Sequence, residues 1–288
     1  MLGLLEVHTV NGFTFEGKGG NPAGIVRLKE TLDEQTMQKI AYDLGYSETA
    51  FIKSHQANNH SFRFFTPLQE VGICGHATVA GFSYLYQQKI ISPGEHNMNC
   101  GAGQLPITVM ENGLISMRQK LPEFGKTLPV ITVAPLLNLE TEALPGPIQI
   151  VSTGLRKIFC PVESRDKLDS ISPDEKAIIN LSKEHNVTGI YCFSYAAGKI
   201  ICRNFAPLVG ISEDNATGTS AAALGCYLWH RRERTEKEFP LHIVQGGPHQ
   251  EKGTLFPNLT IEKDNITSVS VAGWGETVNT EIIEVAHG

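Results

Sequence analysis

Tryptophan occurs twice and methionine five times in 288 residues, and only 19% of positions carry a charged side chain. Acids outnumber bases by 30 to 24, giving a formal net charge of −6. No basic patch of the kind that grips a phosphate backbone is present. The densest cationic run, Arg231-Arg232-Glu233-Arg234, is broken by an acid and reads as a solvated helix end, so nucleic acid is not an expected partner. No stretch approaches the roughly 20 uncharged apolar residues that span a bilayer. The opening Met1–His8 meets an acid at Glu6 and lacks the cationic leader and apolar core of a secretory signal. The six cysteines form no CxxC pair, and Cys74-Gly75-His76 sets two donors too close together for a recognised zinc spacing, so no metal is expected. GxGxxG after a strand, GxxxxGK and a recognisable Schiff-base lysine motif are all missing, which leaves no expected cofactor. These absences describe a cytoplasmic protein with reduced thiols and no membrane partner.

What the chain does have is length, apolar content and glycine. Hydrophobic residues make up 41%, enough for a sizeable core, and 288 residues suggest two domains of about 140 each. Of the 28 glycines, several lie in a hidden repeat. Glu70–Tyr86 aligns on Glu213–Trp229 without a gap at an offset of 143 residues, with identities at Glu70/Glu213, Gly75/Gly218, Ala80/Ala223, Tyr84/Tyr227 and Leu85/Leu228. Just upstream, Arg63-Phe-Phe-Thr-Pro67 pairs with Arg203-Asn-Phe-Ala-Pro207 at an offset of 140. Each copy reads as strand, loop and helix. Ser61–Phe65 and Lys199–Phe205 are rich in β-branched and aromatic residues, and a proline follows each. Ala77–Tyr86 and Ser220–Trp229 are apolar nearly all round, the mark of a helix buried on every side.

Further strands are expected at 24–27, 50–53, 105–110, 114–118, 148–152, 189–194, 242–244, 259–262 and 266–271. A surface helix is expected over Leu32–Leu44, opened by Thr31 and closed by Gly45, and Gln119–Pro129 reads as a linker. The expected fold is α+β. Two pseudo-symmetric lobes, 1–124 and 125–288, each wrap a curved, mainly antiparallel sheet around one buried helix, with the last strand free to return to the first lobe.

A buried helix leaves its first amides unpaired and carries about half a positive charge at its N-terminus. Glycine at that turn lets a ligand approach the backbone. Cys74-Gly75-His76 and Thr217-Gly218-Thr219 stand at such ends and would together suit a small carboxylate, although a glycine there can also simply make the turn.

These motifs resemble a known family. Gly20-Asn-Pro-Ala-Gly-Ile-Val26, Ser47-Glu-Thr-Ala-Phe-Ile52, Arg63–Pro67, Cys74-Gly-His-Ala-Thr78, Arg203–Pro207 and Glu213-Asp-Asn-Ala-Thr-Gly-Thr219 occur in the order and spacing of the PhzF-like isomerases of phenazine biosynthesis. The resemblance covers nearly the whole chain and implies the fold of diaminopimelate epimerase, a cofactor-independent activity and a homodimer. It maps the general acid/base onto Glu48, for which burial would have to lift a carboxylic acid from near 4.3 toward neutrality. It makes His76 and Asp214 orient or polarise the substrate, and it makes Thr219, in a position commonly serine, bond to it. Asn21 is a candidate for the pocket wall, and Cys74, Gly75, Thr217 and Gly218 for substrate contact.

Two-thiol epimerases place a cysteine before each buried helix. Here Cys74 is matched by Thr217, whose hydroxyl is too weak an acid to be the second base, and Cys74 alone also reads as a small buried residue. The expected reaction is proton removal and return on a small, cyclic or unsaturated carboxylic acid. A catalytically silent carboxylate-binding module and an amino-acid epimerase stand as alternatives. The family's Gly-Arg-Pro-Ser tract after a Gln-Gly pair is replaced here by Gln245-Gly246 followed by Gly253-Thr-Leu-Phe-Pro257, so the substrate stays open.

Overall fold

The computed structural model describes residues 2–55 and 58–286. By its contacts the chain divides into two compact units, one of residues 1–118 and 272–288, the other of Gln119–Val271. The fold is α+β, and each unit is a curved, mainly antiparallel sheet around one buried helix.

In the first unit the strands are β1 (Leu2–Thr14), β2 (Asn21–Arg27), β3 (Thr49–Ser54), β4 (Asn59–Phe65), β5 (Glu70–Val71), β6 (Gly94–Cys100), β7 (Gly103–Val109) and β8 (Ile115–Gln119). The pairings β1–β2 and β3–β4 are antiparallel and β2–β3 is parallel, with Gly24 opposite Thr49 and Thr49 opposite Phe65. Then β4 pairs antiparallel with β5 and parallel with β6, and β6 pairs antiparallel with β7.

The second unit contains β9 (Glu123–Leu128), β10 (Ile148–Ser152), β11 (Arg156–Pro161), β12 (Ile190–Ala196), β13 (Lys199–Ala206), β14 (Ile211–Asp214), β15 (Ile243–Gln245) and β16 (Gly253–Glu262). From β10 onward its pairings run antiparallel, parallel, antiparallel, then β13 with β14 antiparallel and with β15 parallel, then antiparallel again. The series of strand directions is the same in both units. The last strand, β17 (Asn265–Ala286), runs from the second unit into the first, where its distal half pairs antiparallel with β1 from Val7↔Glu281 to Asn11↔Glu276.

The helices are α1 (Glu34–Leu44), α2 (Gly75–Gln87), α3 (Val130–Val133), α4 (Arg165–Asp169), α5 (Glu175–His185) and α6 (Gly218–His230). In α2 every residue from His76 to Leu85 is buried, and in α6 every residue from Ser220 to Leu228. No polar face remains, so each of these helices has to be enclosed by strands. Small residues make that enclosure possible. A Cβ on Gly81 would stand 2.6 Å from the Phe62 ring, which stacks on Phe82 at 5.0 Å between centroids. By contrast, α1 is amphipathic and lays Met37, Ile40 and Ala41 over Val7, Val26, Phe51 and Phe65. The second unit's larger core joins α5 through Ile178 and Leu181 to Ile158, Ile190 and Phe205.

Two expectations need correction. The helix expected from Leu32 begins at Glu34, because Asp33 caps it by accepting from Thr36 N at 2.9 Å; Gly45, in the left-handed region at φ 69°, closes it as expected. The segment read as a linker contains β9, which pairs antiparallel with β10. Its prolines, Pro122 and Pro129, flank the strand rather than break it. Gly125 lies at a bulge in the pairing, where a Cβ would press on Ile150 at 3.1 Å.

Candidate active site

In the first unit, the hydrogen bond from Gly24 N to Glu48 O (3.1 Å) ties β2 to the residue just before β3 and fixes where Glu48 leaves the sheet. Cys74 is the extended N-cap of α2 at φ −139° and ψ 122°, and His76 lies in the helix's first turn. Thr78 Oγ1 donates to Cys74 O at 2.7 Å and locks that turn. Sequence positions 21, 47, 48, 74 and 76 thus meet around one imidazole. His76 Nε2 lies 3.4 Å from Glu48 Oε2 and 3.4 Å from Ser47 Oγ. His76 Nδ1 lies 3.4 Å from Cys74 Sγ and 3.4 Å from Asn21 Nδ2.

Asn21 Nδ2 can only donate, so it makes His76 Nδ1 the acceptor and puts the proton of a neutral ring on Nε2. The cluster is nearly dry, with the side chains of His76 and Glu48 8% and 18% exposed. Glu48 Oε2 is buried and accepts no hydrogen bond. A Cβ built on Gly75 would meet nothing within 4 Å, so packing does not demand glycine there and open space adjoins the first amides of α2.

In the second unit, Asp214 ends β14 and Thr217 is the N-cap of α6. The Thr217 hydroxyl donates to Asp214 Oδ2 and accepts from Asn204 Nδ2 at 2.6 Å and Gln245 Nε2 at 3.0 Å. Gln245 also donates to Asp214 O at 2.8 Å, while its Oε1 accepts from Tyr191 OH at 2.7 Å and Thr217 N at 3.2 Å. Thr217 therefore spends its hydroxyl on fixing Asp214. Gly218 opens the helix, and the carbonyl of half-buried Thr219 accepts from Thr153 Oγ1 at 2.9 Å. Behind this network lies Lys157, 2% exposed, with Nζ 3.5 Å from Thr188 O. Burial pulls its ammonium down to about 7, against the pull of Asp214 and Cys192 in the other direction.

The sequence-predicted residues Asn21, Glu48, Cys74, Gly75 and His76 thus converge in the first unit, and Asp214, Thr217, Gly218 and Thr219 stand at one helix start in the second. Sequence reasoning passed over Ser47, Asn204, Tyr191 and Lys157, and took Gln245 only as half of a Gln-Gly pair. Ser47 and Asn204 sit inside quoted motifs beside a residue that drew attention first. Lysine 157 carries no local signal.

Comparison with known proteins places the chain in a family. Residues 10–281 match the family model described as phenazine biosynthesis-like protein. The chain is 33% identical over 286 residues to the uncharacterized isomerase YddE of Escherichia coli K12, covering 93% of this chain and 94% of that one. It is 28% identical over 269 residues to the trans-2,3-dihydro-3-hydroxyanthranilate isomerase of Pseudomonas fluorescens, covering 90% and 91%. A crystal structure of the Bacillus anthracis phenazine biosynthesis protein of the PhzF family superposes with a TM-score of 0.83 at 29% identity, covering 98% and 99%. With a family match across almost its whole length and relatives that are isomerases, the chain belongs to the phenazine biosynthesis-like protein family and is an isomerase of it.

Proposed function

We propose that the protein moves a proton on a small carboxylic acid by general acid/base catalysis at Glu48. The observation that carries this reading is the Glu48–His76 contact. A buried carboxylate oxygen with no hydrogen-bond donor on it lies 3.4 Å from an imidazole nitrogen, beside open space at the start of α2. An acceptor left without a donor in a nearly dry pocket is costly unless a substrate proton completes it.

In this reading Glu48 removes the proton from a carbon conjugated to the carboxylate, and the charge spreads into that carboxylate. The helix-start amides beside Gly75 receive it. Glu48 then returns the proton to a neighbouring carbon. His76, beside Asn21 and Ser47, keeps its Nε2 3.4 Å from Glu48 Oε2. Within the second unit, Thr217 and Gln245 hold Asp214 in place, and Asp214 and Thr219 stay candidates for contact with a small polar ligand.

The relative that acts on trans-2,3-dihydro-3-hydroxyanthranilate makes cyclic, unsaturated amino acids the first substrates to try. Two-thiol epimerisation is disfavoured, because Thr217 has no thiol and its hydroxyl already serves three partners. The same reading extends to a homodimer acting in the cytoplasm, with all six cysteines as free thiols; light scattering checks the dimer. Among the described residues no helix is long and apolar enough to cross a membrane.

Deuterium exchange tests the assignment. Candidate acids incubated in heavy water with the wild-type chain should gain deuterium, and Glu48→Gln should abolish the gain. Binding without exchange in the wild type would leave a silent carboxylate-binding module. Exchange that survives Glu48→Gln but disappears in Cys74→Ala would overturn the role given to Glu48.

A further inference from the structure

The residues around His76 also make a set of metal donors that their sequence spacing hides. Cys74 and His76 alone are two positions apart; the fold brings in Glu48 from a different element. One donor atom from each of Glu48, Cys74 and His76 lies within 4.8 Å of the others. A tetrahedral zinc with bonds of about 2.0–2.3 Å separates its ligand atoms by roughly 3.5 Å, so the 3.4 Å from Cys74 Sγ to His76 Nδ1 suits a shared ion that takes the Nδ1 lone pair in place of Asn21 Nδ2. Two independent features also point to a ligand. Glu48 Oε2 is buried without a hydrogen-bond donor, and the space beside Gly75 is open for a fourth ligand.

We propose that Glu48, Cys74 and His76 form an inhibitory site for a thiophilic divalent cation, with Zn²⁺ the ion of choice. A thiolate and a carboxylate together balance the charge of the ion, so the occupied cluster is neutral in its dry pocket. Binding releases the Cys74 thiol proton to solvent and leaves one coordination position for water or a substrate carboxylate. Thiolate and imidazole select Zn²⁺, Co²⁺ and Cd²⁺ over Mg²⁺ and Ca²⁺, which need more oxygen ligands than this site supplies. An ion held here occupies both the carboxylate and the imidazole, so the loaded protein cannot move a proton. The inhibitory consequence rests on the function proposed above, whereas the binding does not.

The test uses the full chain after dialysis against a chelator. Titration with Co²⁺ should give a one-to-one complex with a thiolate-to-cobalt charge-transfer absorption that Zn²⁺ bleaches and Mg²⁺ leaves unchanged. Outer partners of metal ligands are worth 10–100-fold in affinity, so losing a ligand outright should cost at least about tenfold. Cys74→Ala should remove the absorption band, and His76→Gln should weaken Zn²⁺ binding by that factor in equilibrium dialysis. Cys74→Ser with an unchanged circular dichroism spectrum keeps the test open if the alanine variant does not fold. Deuterium exchange should fall in step with Zn²⁺ occupancy and return on adding chelator. Absence of the band, a band that survives in both cysteine variants, or Zn²⁺ affinity unchanged in His76→Gln would each overturn the proposal. Loss of the band in the variants with no exchange activity in any protein would retain the metal site and remove only the catalytic reading.

Discussion

Arg203 grips Glu213 with two parallel hydrogen bonds, Nε to Oε1 at 2.7 Å and Nη2 to Oε2 at 2.8 Å. Its remaining donor Nη1 reaches the carbonyls of Leu168 and Ile171 at 3.1 and 2.9 Å, and its guanidinium lies 4.9 Å from the centre of the Phe205 ring. The other unit repeats the device on the surface. Arg63 holds Glu70 at 2.7 and 2.6 Å and lies 5.1 Å from the Phe65 ring. The geometry is the same but the solvent is not: side-chain exposures are 7% and 12% for the buried pair against 37% and 34% for the other. Removing one partner of a buried pair strands a charge and costs about 3–5 kcal/mol, while an exposed pair is worth about 1 kcal/mol or less. Glu213→Gln should therefore lower the urea midpoint far more than Glu70→Gln. Equal shifts would show that burial does not decide the energetics of this motif.

Two glycines flank His76 with opposite demands. On β1, a Cβ at Gly12 would collide with the carbonyl oxygen of His76, whereas one at Gly75 meets nothing within 4 Å. Gly12→Ala should push the start of α2 away and cost about 1–3 kcal/mol, as overpacking does. Gly75→Ala should leave the melting temperature unchanged or slightly raised, because alanine reduces the freedom of the unfolded chain. If the open space receives the substrate carboxylate, Gly75→Ala should raise KM while leaving the fold intact. An unchanged KM would separate that space from the substrate.

The two buried helices were legible because their signal is local: ten consecutive apolar or small residues cannot lie on a surface. The spans of β3, β10 and β13 were legible from their β-branched and aromatic runs. The β9 strand was not, since prolines at both ends and Gly125 in the middle mimic a loop until β10 supplies the partner. Nor was α5, where only Ile178, Leu181 and Ser182 are buried and the apolar stripe is thin. At the site, Glu48 and His76 were readable through the motifs that hold them. Their contact belongs to the fold, because it joins a strand start to a helix start. Gln245 illustrates the limit: its Gln-Gly pair is visible in the sequence, but the bonds to both Asp214 and Thr217 belong to the fold.

His60 and His96 form a proton chain with one self-consistent assignment. His96 Nε2 donates to Ser92 O at 2.9 Å, so its Nδ1 accepts from His60 Nε2 at 3.2 Å, and His60 Nδ1 accepts from Ser54 Oγ at 3.1 Å. Burial, helped by the neighbouring His96 and His55, lowers His60 from 6.5 to about 4. Between those values the unfolded chain binds a proton that the folded chain refuses. Stability is therefore complete above pH 6.5 and falls as the pH drops through 4, by about 2–3 kcal/mol from this residue. His60→Gln should flatten that acid limb in calorimetric scans across pH 4–7, though it weakens the fold at pH 8. Parallel curves for the two proteins would refute the assignment.

Lys157 puts the same linkage on the alkaline side. Its amine is buried with one long contact to Thr188 O, and it sits at about 7 in the fold against 10.5 when exposed. From pH 7 to 10.5 the unfolded chain keeps a proton that the folded chain has already shed, so wild-type stability should climb with pH over that window. Lys157→Met keeps the length of the side chain and deletes the ionisable group, so its stability should be flat there. The variant should be the more stable protein at pH 7, with its advantage shrinking by a few kcal/mol toward pH 10. Urea titrations at the two pH values measure the difference directly. A wild type whose stability does not rise would mean that Asp214 holds the lysine charged inside the fold, making Lys157 a paired cation rather than a buried neutral amine.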